Sequence, residues 1–318
     1  MSDSPEAASP ALNEMQESVL QVLAKPAAWE PLPTEVTDRI KSTFLEGLKA
    51  LEPLLNEQDP IWISKHKISS VLSCEKQFVA TQGDFHWTTA NSKGQVAHKA
   101  IELLINWRGH VTPMDLAEAA IDRLSDADDR AGSIGEFLGN MSPAEFAELK
   151  AEVVDYITKF IECFPPIKKE WQPVVESSAT FNHLGRSLVL AGKTDLVLGA
   201  QGSKVILDFK TGNINPVHRD DLRFYSLVEL LRSNKAPRLV ASYSLSAARP
   251  DPEPVSEATL KVAVMRALDG ITRIVELTRQ VRKPSITPGF QCRWCSIAMD
   301  CEVGQQWLSR ADDDLDDL

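Results

Sequence analysis

Several common features are scarce or missing in this chain of 318 residues. No uninterrupted apolar run approaches the roughly 18–20 residues that a membrane-spanning helix needs, which excludes an integral helical membrane protein. The opening segment Met1-Ser2-Asp3-Ser4-Pro5-Glu6 has neither a basic stretch nor an apolar core, so no secretory signal and a cytoplasmic location are expected. Cysteines number five, too few and too unevenly spaced for a disulfide framework in a compartment that keeps thiols reduced. Basic residues are also in short supply: 34 Lys and Arg against 45 Asp and Glu give a net charge of −11. At face value that argues against a nucleic-acid partner, because phosphate contact calls for a basic surface. No internal repeat is visible. What remains, with 43% hydrophobic residues, is a chain long enough to bury one large core or two small ones.

The charge is unevenly placed. Residues 1–60 carry eleven acidic and four basic side chains, and five aspartates crowd into 312–318, so the body between them is close to neutral, at +1. The objection to a nucleic-acid partner therefore falls on the two ends.

Residues 2–12, rich in Ser, Pro and Ala, read as disordered. Apolar residues then recur at helical spacing from Glu14 to Leu23 and from Thr34 to Leu55, with Pro26, Pro31, Pro33 and Pro53 as punctuation. A short helix capped by Ser69 or Ser70 is expected to carry Cys74, a longer one to open at Gly94, and two more to lie near 113–124 and 142–163. The pattern then changes period. Trp171 to Phe181, Ser187 to Leu198 and Lys204 to Lys210 read as strands, followed by a helix near 217–232, an apolar run from Arg238 to Leu245 and a long helix near 256–282. Central strands surrounded by helices predict an α/β fold around a mixed sheet.

Two groups of residues carry chemistry. In the run VILDFK, Asp208 and Lys210 occupy alternate positions of a strand and so share a face. Burying an aspartate and a lysine there is costly unless something pairs or coordinates them. They either form a salt bridge at a strand end or, with Asp195 from the neighbouring strand, supply the two carboxylates that suffice to hold Mg²⁺. The second group is Cys292, Cys295 and Cys301, a C-x2-C-x5-C cluster among polar and aromatic neighbours that looks like a metal-ligand set short of a fourth thiol. Cys74 lies far upstream, and Cys163 reads as a buried residue at a helix end.

The order of short motifs resembles the PD-(D/E)xK nuclease superfamily, specifically its RecB-like branch, which includes the nuclease domains of AddB and of the CRISPR-associated iron–sulfur exonucleases. The matching residues are Gly94 to His98 (G-x-x-x-H), Gly192 to Asp195 (G-x-x-D), Asp208 to Lys210 (D-x-K) and Asp221 to Tyr225, where most relatives carry Q-x-x-x-Y. The resemblance implies a restriction-endonuclease-like core and Mg²⁺ or Mn²⁺ held by His98, Asp195, Asp208 and the Phe209 carbonyl. It also implies that Lys210 acts on the attacking water and scissile phosphate, with Tyr225 and Asp221 positioning nucleic acid. A carboxylate at Asp221 repels phosphate where an amide would donate, so the role of that position is open. Glu176 resembles an acidic position that often precedes the metal motifs, and a surface role fits it as well.

Cys74 before the core and the three cysteines after it resemble the [4Fe–4S] staple of the same branch, which clamps the two ends of the domain; zinc is the alternative for four thiolates. Such closure would bring Lys65, His66, Lys67 and Lys76 beside Arg279, Arg282, Lys283 and Arg293 as a basic rim for a DNA strand. The implied layout is an acidic N-terminal region over 1–60, a nuclease domain over 61–304 and an acidic tail over 305–318, of which the Asp-rich stretch 311–318 is expected to be disordered. The implied activity is a metal-dependent DNA exonuclease on single strands or ends, in repair, recombination or defence. The alternative is a non-catalytic DNA-binding or scaffold module that keeps the fold. DNA is the expected partner, no membrane is, and a helicase or another repair or defence protein is left unidentified.

Overall fold

The computed structural model describes residues 11–83, 85–127 and 130–316, without the side chains of 312–316. The disorder expected at 2–12 falls almost wholly outside that range. Helices α1 (Glu14–Leu23) and α2 (Thr34–Leu48) are followed by a three-residue strand, β1 (Ile61–Ile63), and by α3 (Lys65–Ser73) and α4 (Glu75–Ala80). A helical block comprises α5 (Thr89–Asn106), α6 (Pro113–Ala127), α7 (Ile134–Gly139) and α8 (Pro143–Cys163). Then come β2 (Val174–His183), β3 (Leu188–Leu198), β4 (Val205–Lys210), α9 (Pro216–Ser233), β5 (Leu239–Ser244), β6 (Arg249–Pro254), α10 (Glu257–Thr278) and α11 (Glu302–Asp316).

Caps explain where several helices start. Thr88 accepts from the Asn91 backbone while the Asn91 side chain accepts from the Thr88 backbone, so α5 begins before Gly94 and that glycine lies inside the helix. Ser64, rather than Ser69 or Ser70, caps α3 through the Lys67 backbone N–H. The acidic stretch expected as a disordered tail instead continues α11 as far as Asp316, since no Gly or Pro interrupts it after Gly304. Strand β6 escaped the sequence pattern because it reads RPDPEP. The Val255 N–H reaches the Arg238 carbonyl, so the prolines at 250, 252 and 254 turn their donor-less nitrogens to the open edge and blunt it.

The sheet is mixed and flanked by helices on both faces. One layer, built on α2, α3, α9 and α10, buries Ile63, Leu190, Val197 and Ile206. The other, built on α1, α5 and α8, buries Leu196, Leu207, Phe209 and Tyr243, and a satellite core joins α5 to α6, α7 and α8. This is the α/β architecture with a mixed central sheet that the strand and helix pattern predicts.

Strand β3 organises the sheet. Along one edge β2 pairs with it antiparallel over nearly its whole length, Val174 opposite Val197 through His183 opposite Leu188. The other edge is shared: β1 runs parallel beside Leu188–Leu190, and β4 runs antiparallel beside Leu196–Leu198. Among the described residues no strand fills the interval 191–195 on that edge. The C-terminal ends of β1 and β4 point into this gap from opposite directions, as ligand sites in α/β sheets tend to be placed.

Alternation along β3 slips by one residue beside the gap. Leu188 and Leu190 face the α3/α9 layer, yet Leu196 and Leu198 face the α5/α8 layer. On β2 the same slip falls at Glu176, which lies opposite Asp195 in register and takes a left-handed φ of 51°. A non-glycine residue there is strained, a feature that concentrates at functional sites.

Candidate active site

Asp195 sits at the slip and reaches across the gap, its Oδ2 accepting from the Phe209 backbone N–H at 2.6 Å. That donor would otherwise bond β3, so the carboxylate holds open the fork between β3 and β4. Asp208 stands opposite in register, on the α3/α9 face of β4, and Lys210 shares that face as the alternation predicts. The Lys210 ammonium lies 2.5 Å from Asp208 Oδ2. Oδ2 is buried and has this ion pair as its contact, with no further hydrogen bond.

His98 enters from the other layer, on α5. Its Nε2 is 3.0 Å from the Phe209 carbonyl and its Nδ1 is 3.2 Å from Asp195 Oδ1. Burial, the largest single influence, would lower its pKa, but the charge and hydrogen bond of Asp195 together with the charge of Asp208 raise it on balance. The four residues expected to bind a metal are thus brought into one site from β3, β4 and α5.

The α3/α9 layer adds a residue that sequence reasoning placed elsewhere. Lys65, the first residue after the Ser64 cap, is not on a surface rim: its Nζ lies 3.0 Å from Asp208 Oδ1, 3.5 Å from Asp221 Oδ2 and 4.8 Å over the Tyr225 ring. Burial would lower the Lys65 pKa, but Asp208 and then its other neighbours raise it above the usual lysine range. Burial would likewise raise that of Asp208, and the two lysines hold it below the usual carboxylate range. No local signal in K-H-K could have revealed this placement, which depends on where β1 stops along β3.

Tyr225 is buried, and its hydroxyl donates to the Lys193 carbonyl at 2.6 Å. The ring lies against the β3 backbone at Gly192, where a Cβ would stand 2.8 Å from it. Glu176 pairs with Lys193 on the neighbouring strand. A groove of about 320 Å³ lined by Asn91, Gly94, His98, Lys210, Thr211 and His218 opens onto the site. A larger cavity, about 450 Å³ and lined by Leu23, Trp171 and Arg238 among others, contains none of these residues.

Cys74, Cys292, Cys295 and Cys301 line one cavity, although they come from opposite ends of the domain. A Cβ at Gly304 would lie 3.4 Å from the sulfurs of both Cys292 and Cys301, so the backbone of α11 passes close to both thiols. The sulfurs line the cavity without being drawn into a ligand set: among the described residues no three His, Cys, Asp or Glu side chains form a ready metal-binding group. Cys163 is half-buried and apart.

The ends also meet through the protein itself. Glu75, beside Cys74, is buried and bonds Arg282 twice, at 2.6 and 2.8 Å, and the Ser285 backbone N–H at 2.8 Å. Those bonds hold its carboxyl down at about 2, led by the Arg282 contact, against burial that would raise it. Other expected rim cations are committed as well: Arg279 to Asp59, Arg282 also to Glu276, and Lys67 to the Trp62 carbonyl. Lys65, Arg279 and Arg282 are therefore engaged in internal pairing, because the same closure that gathers them gathers their acidic partners.

The family model of the PD-(D/E)XK nuclease superfamily matches residues 63–302, about three quarters of the chain, and the protein belongs to that superfamily. Among solved structures it is similar to a candidate exonuclease from Eubacterium rectale, with 10% identity over 82% of this chain and 91% of that one and a TM-score of 0.44. It is also similar to the protein SSO0001, with 13% identity over 85% of this chain and 97% of that one and a TM-score of 0.32. No curated protein matches the sequence significantly. Nucleases of this superfamily use divalent metals, and their substrate is nucleic acid. No helix among the described residues is long and apolar enough to cross a membrane.

Proposed function

We propose that the protein is a metal-dependent deoxyribonuclease, an exonuclease acting on single strands or DNA ends. The observation that carries this reading is the fork between β3 and β4, where Asp195 and Asp208 face each other with Lys210 and His98 at hand. Asp208 Oδ2, buried with no hydrogen bond and with only the Lys210 ammonium beside it, and the hard oxygen donors around it fit a Mg²⁺ or Mn²⁺ ion held by Asp195, Asp208 and the Phe209 carbonyl, with His98 as a further ligand. When bound, the ion supplies electrostatic stabilisation of charge on the scissile phosphate. Lys210, fixed by Asp208, orients the attacking water and balances phosphate charge from the groove side. Tyr225 braces β3 through the Lys193 carbonyl and so keeps Asp195 in place.

The test is an end-labelled single-strand DNA assay with Mg²⁺ or Mn²⁺. Asp208→Ala and Lys210→Ala are each expected to lose at least about 100-fold in rate, the scale of removing one preorganised electrostatic group. Degradation equal to wild type by both variants refutes the assignment, and DNA binding without cleavage by the wild type returns the scaffold alternative.

The four cysteines are proposed to hold a [4Fe–4S] cluster, supported by their shared cavity and by four thiolates being the number such a cluster takes. Anaerobically purified protein should be brown with absorbance near 400 nm; colourless protein carrying zinc is the outcome that replaces this assignment.

A further inference from the structure

Both lysines near the fork sit on one carboxylate, yet only Lys210 belongs to the D-x-K strand. Lys65 arrives from a different element, contacts Asp208 Oδ1 at 3.0 Å and is 3.5 Å from Asp221 Oδ2. A small cavity lined by Lys65, Ser69, Asp220, Asp221 and Arg266 lies on the Asp221 side. We infer that Lys65 is a resident cation of the metal site, holding Asp208 when no metal is bound and passing to Asp221 when a divalent ion takes that carboxylate. This rests on Asp195 and Asp208 being the metal site, as proposed above.

The physical case is charge balance in a dry place. Asp208 is 4% exposed, and a buried ionised carboxylate needs a partner. With metal bound, an ammonium on the other oxygen of the same carboxylate is repelled by a double charge close by, so it must leave or the ion must bind weakly. Lys65 cannot return to water without vacating its place beneath Tyr225, and Asp221 offers it a second carboxylate within reach. An amide at that position would accept a hydrogen bond but would not balance the displaced charge. A carboxylate in place of the amide, unexplained by contact with phosphate, is thereby explained by contact with lysine.

The experiment is a titration of the metal-free full-length protein with Mn²⁺ alone, without DNA, followed by calorimetry or by the electron-spin signal of free Mn²⁺. Lys65→Met is expected to bind Mn²⁺ roughly tenfold more tightly than wild type, the low end for removing a unit charge beside a buried carboxylate. Asp221→Asn is expected to bind it several-fold more weakly, because Lys65 then has no second acceptor. In the Lys65→Met background Asp221→Asn should change affinity by less than about twofold. Lys65→Gln serves if the methionine variant does not fold. The inference is overturned if removal of Lys65 leaves affinity unchanged, or if Asp221→Asn weakens binding equally in both backgrounds, which plain loss of a negative charge would do. Asp208→Asn separates the two levels of the argument: if it binds Mn²⁺ as wild type does, the metal site itself is misplaced, whatever Lys65 does.

Discussion

Gly192 and Tyr225 illustrate how a motif residue acquires its reason only in three dimensions. The glycine stands in the stretch of β3 that pairs with β2 on one edge and has no strand on the other, and the tyrosine ring lies where a Cβ would project, at 2.8 Å. Gly192→Ala should therefore push on a buried ring that also carries the bond to the Lys193 carbonyl, costing roughly 1–3 kcal/mol. A denaturant melt measures that loss, and Tyr225→Leu in the same chain should recover part of it by removing the obstructing ring. Tyr225→Phe keeps the ring and loses one hydrogen bond, about 1 kcal/mol. If Gly192→Ala melts with wild type, the ring is not pinned where the structure has it. The sequence displayed both residues as parts of motifs, but their contact was invisible in it, since they are 33 positions apart and meet only because α9 folds back over β3.

At the scale of elements, the join between α4 and the segment after α10 depends on Glu75. One buried carboxylate serves two guanidinium groups and a backbone N–H, with Arg273 at 3.5 Å as the second arginine. Glu75→Gln should cost about 3–5 kcal/mol at neutral pH, as breaking a buried pair does. The carboxyl's folded-state value is depressed to about 2 from an ordinary 4.5, so its contribution is complete above that ordinary value and is lost as the pH falls through the folded one. The stability gap between wild type and Glu75→Gln, read from paired melts, should thus shrink as the pH drops below about 4.5. A gap that stays constant from pH 7 to pH 3 contradicts the depressed carboxyl. Most of the long helices were legible from periodicity, because each buries a stripe along its length. The elements that were not legible had little local signal: β1 is three residues long, β6 alternates with proline, and α5 begins at a threonine cap that Gly94 masked.

For the molecule as a whole, the C-terminal region divides at its anchor. α11 packs on the short turns over 290–294 and 298–300, which hold Cys292 and end at Cys295 and Cys301, whereas residues 282–285 are tied to α4 by Glu75 and by the Lys76 N–H to the Ser285 carbonyl. If the cysteines hold the proposed cluster, replacing Cys292 and Cys301 together with alanine should abolish its absorbance near 400 nm and lower Tm. It should also open protease cleavage beyond Pro288 while 282–285 stays protected, a pattern that limited proteolysis with mass spectrometry reads directly. Cleavage within 282–285 at the same rate assigns the whole join to the cysteines. The −11 charge finds its place at this scale as well: part of it lies in the acidic N-terminal region and in α11, and within the body the acidic groups largely answer named lysines and arginines.

By itself the sequence determined the succession of helices and strands, the alternate placement of Asp208 and Lys210 on one strand, and the ordered motifs that mark the superfamily. These are local properties, set by side-chain period and spacing along a few residues. Only the tertiary structure decided that β1 and β4 share one edge of β3 and leave a gap between them, and that Lys65 is carried into it from 143 residues before Asp208. It also decided that Lys65, Arg279 and Arg282, expected on a rim, meet carboxylates. Those outcomes follow from where strands stop against one another and from the cost of leaving a charge unpaired once buried, and neither is written in any short stretch of chain.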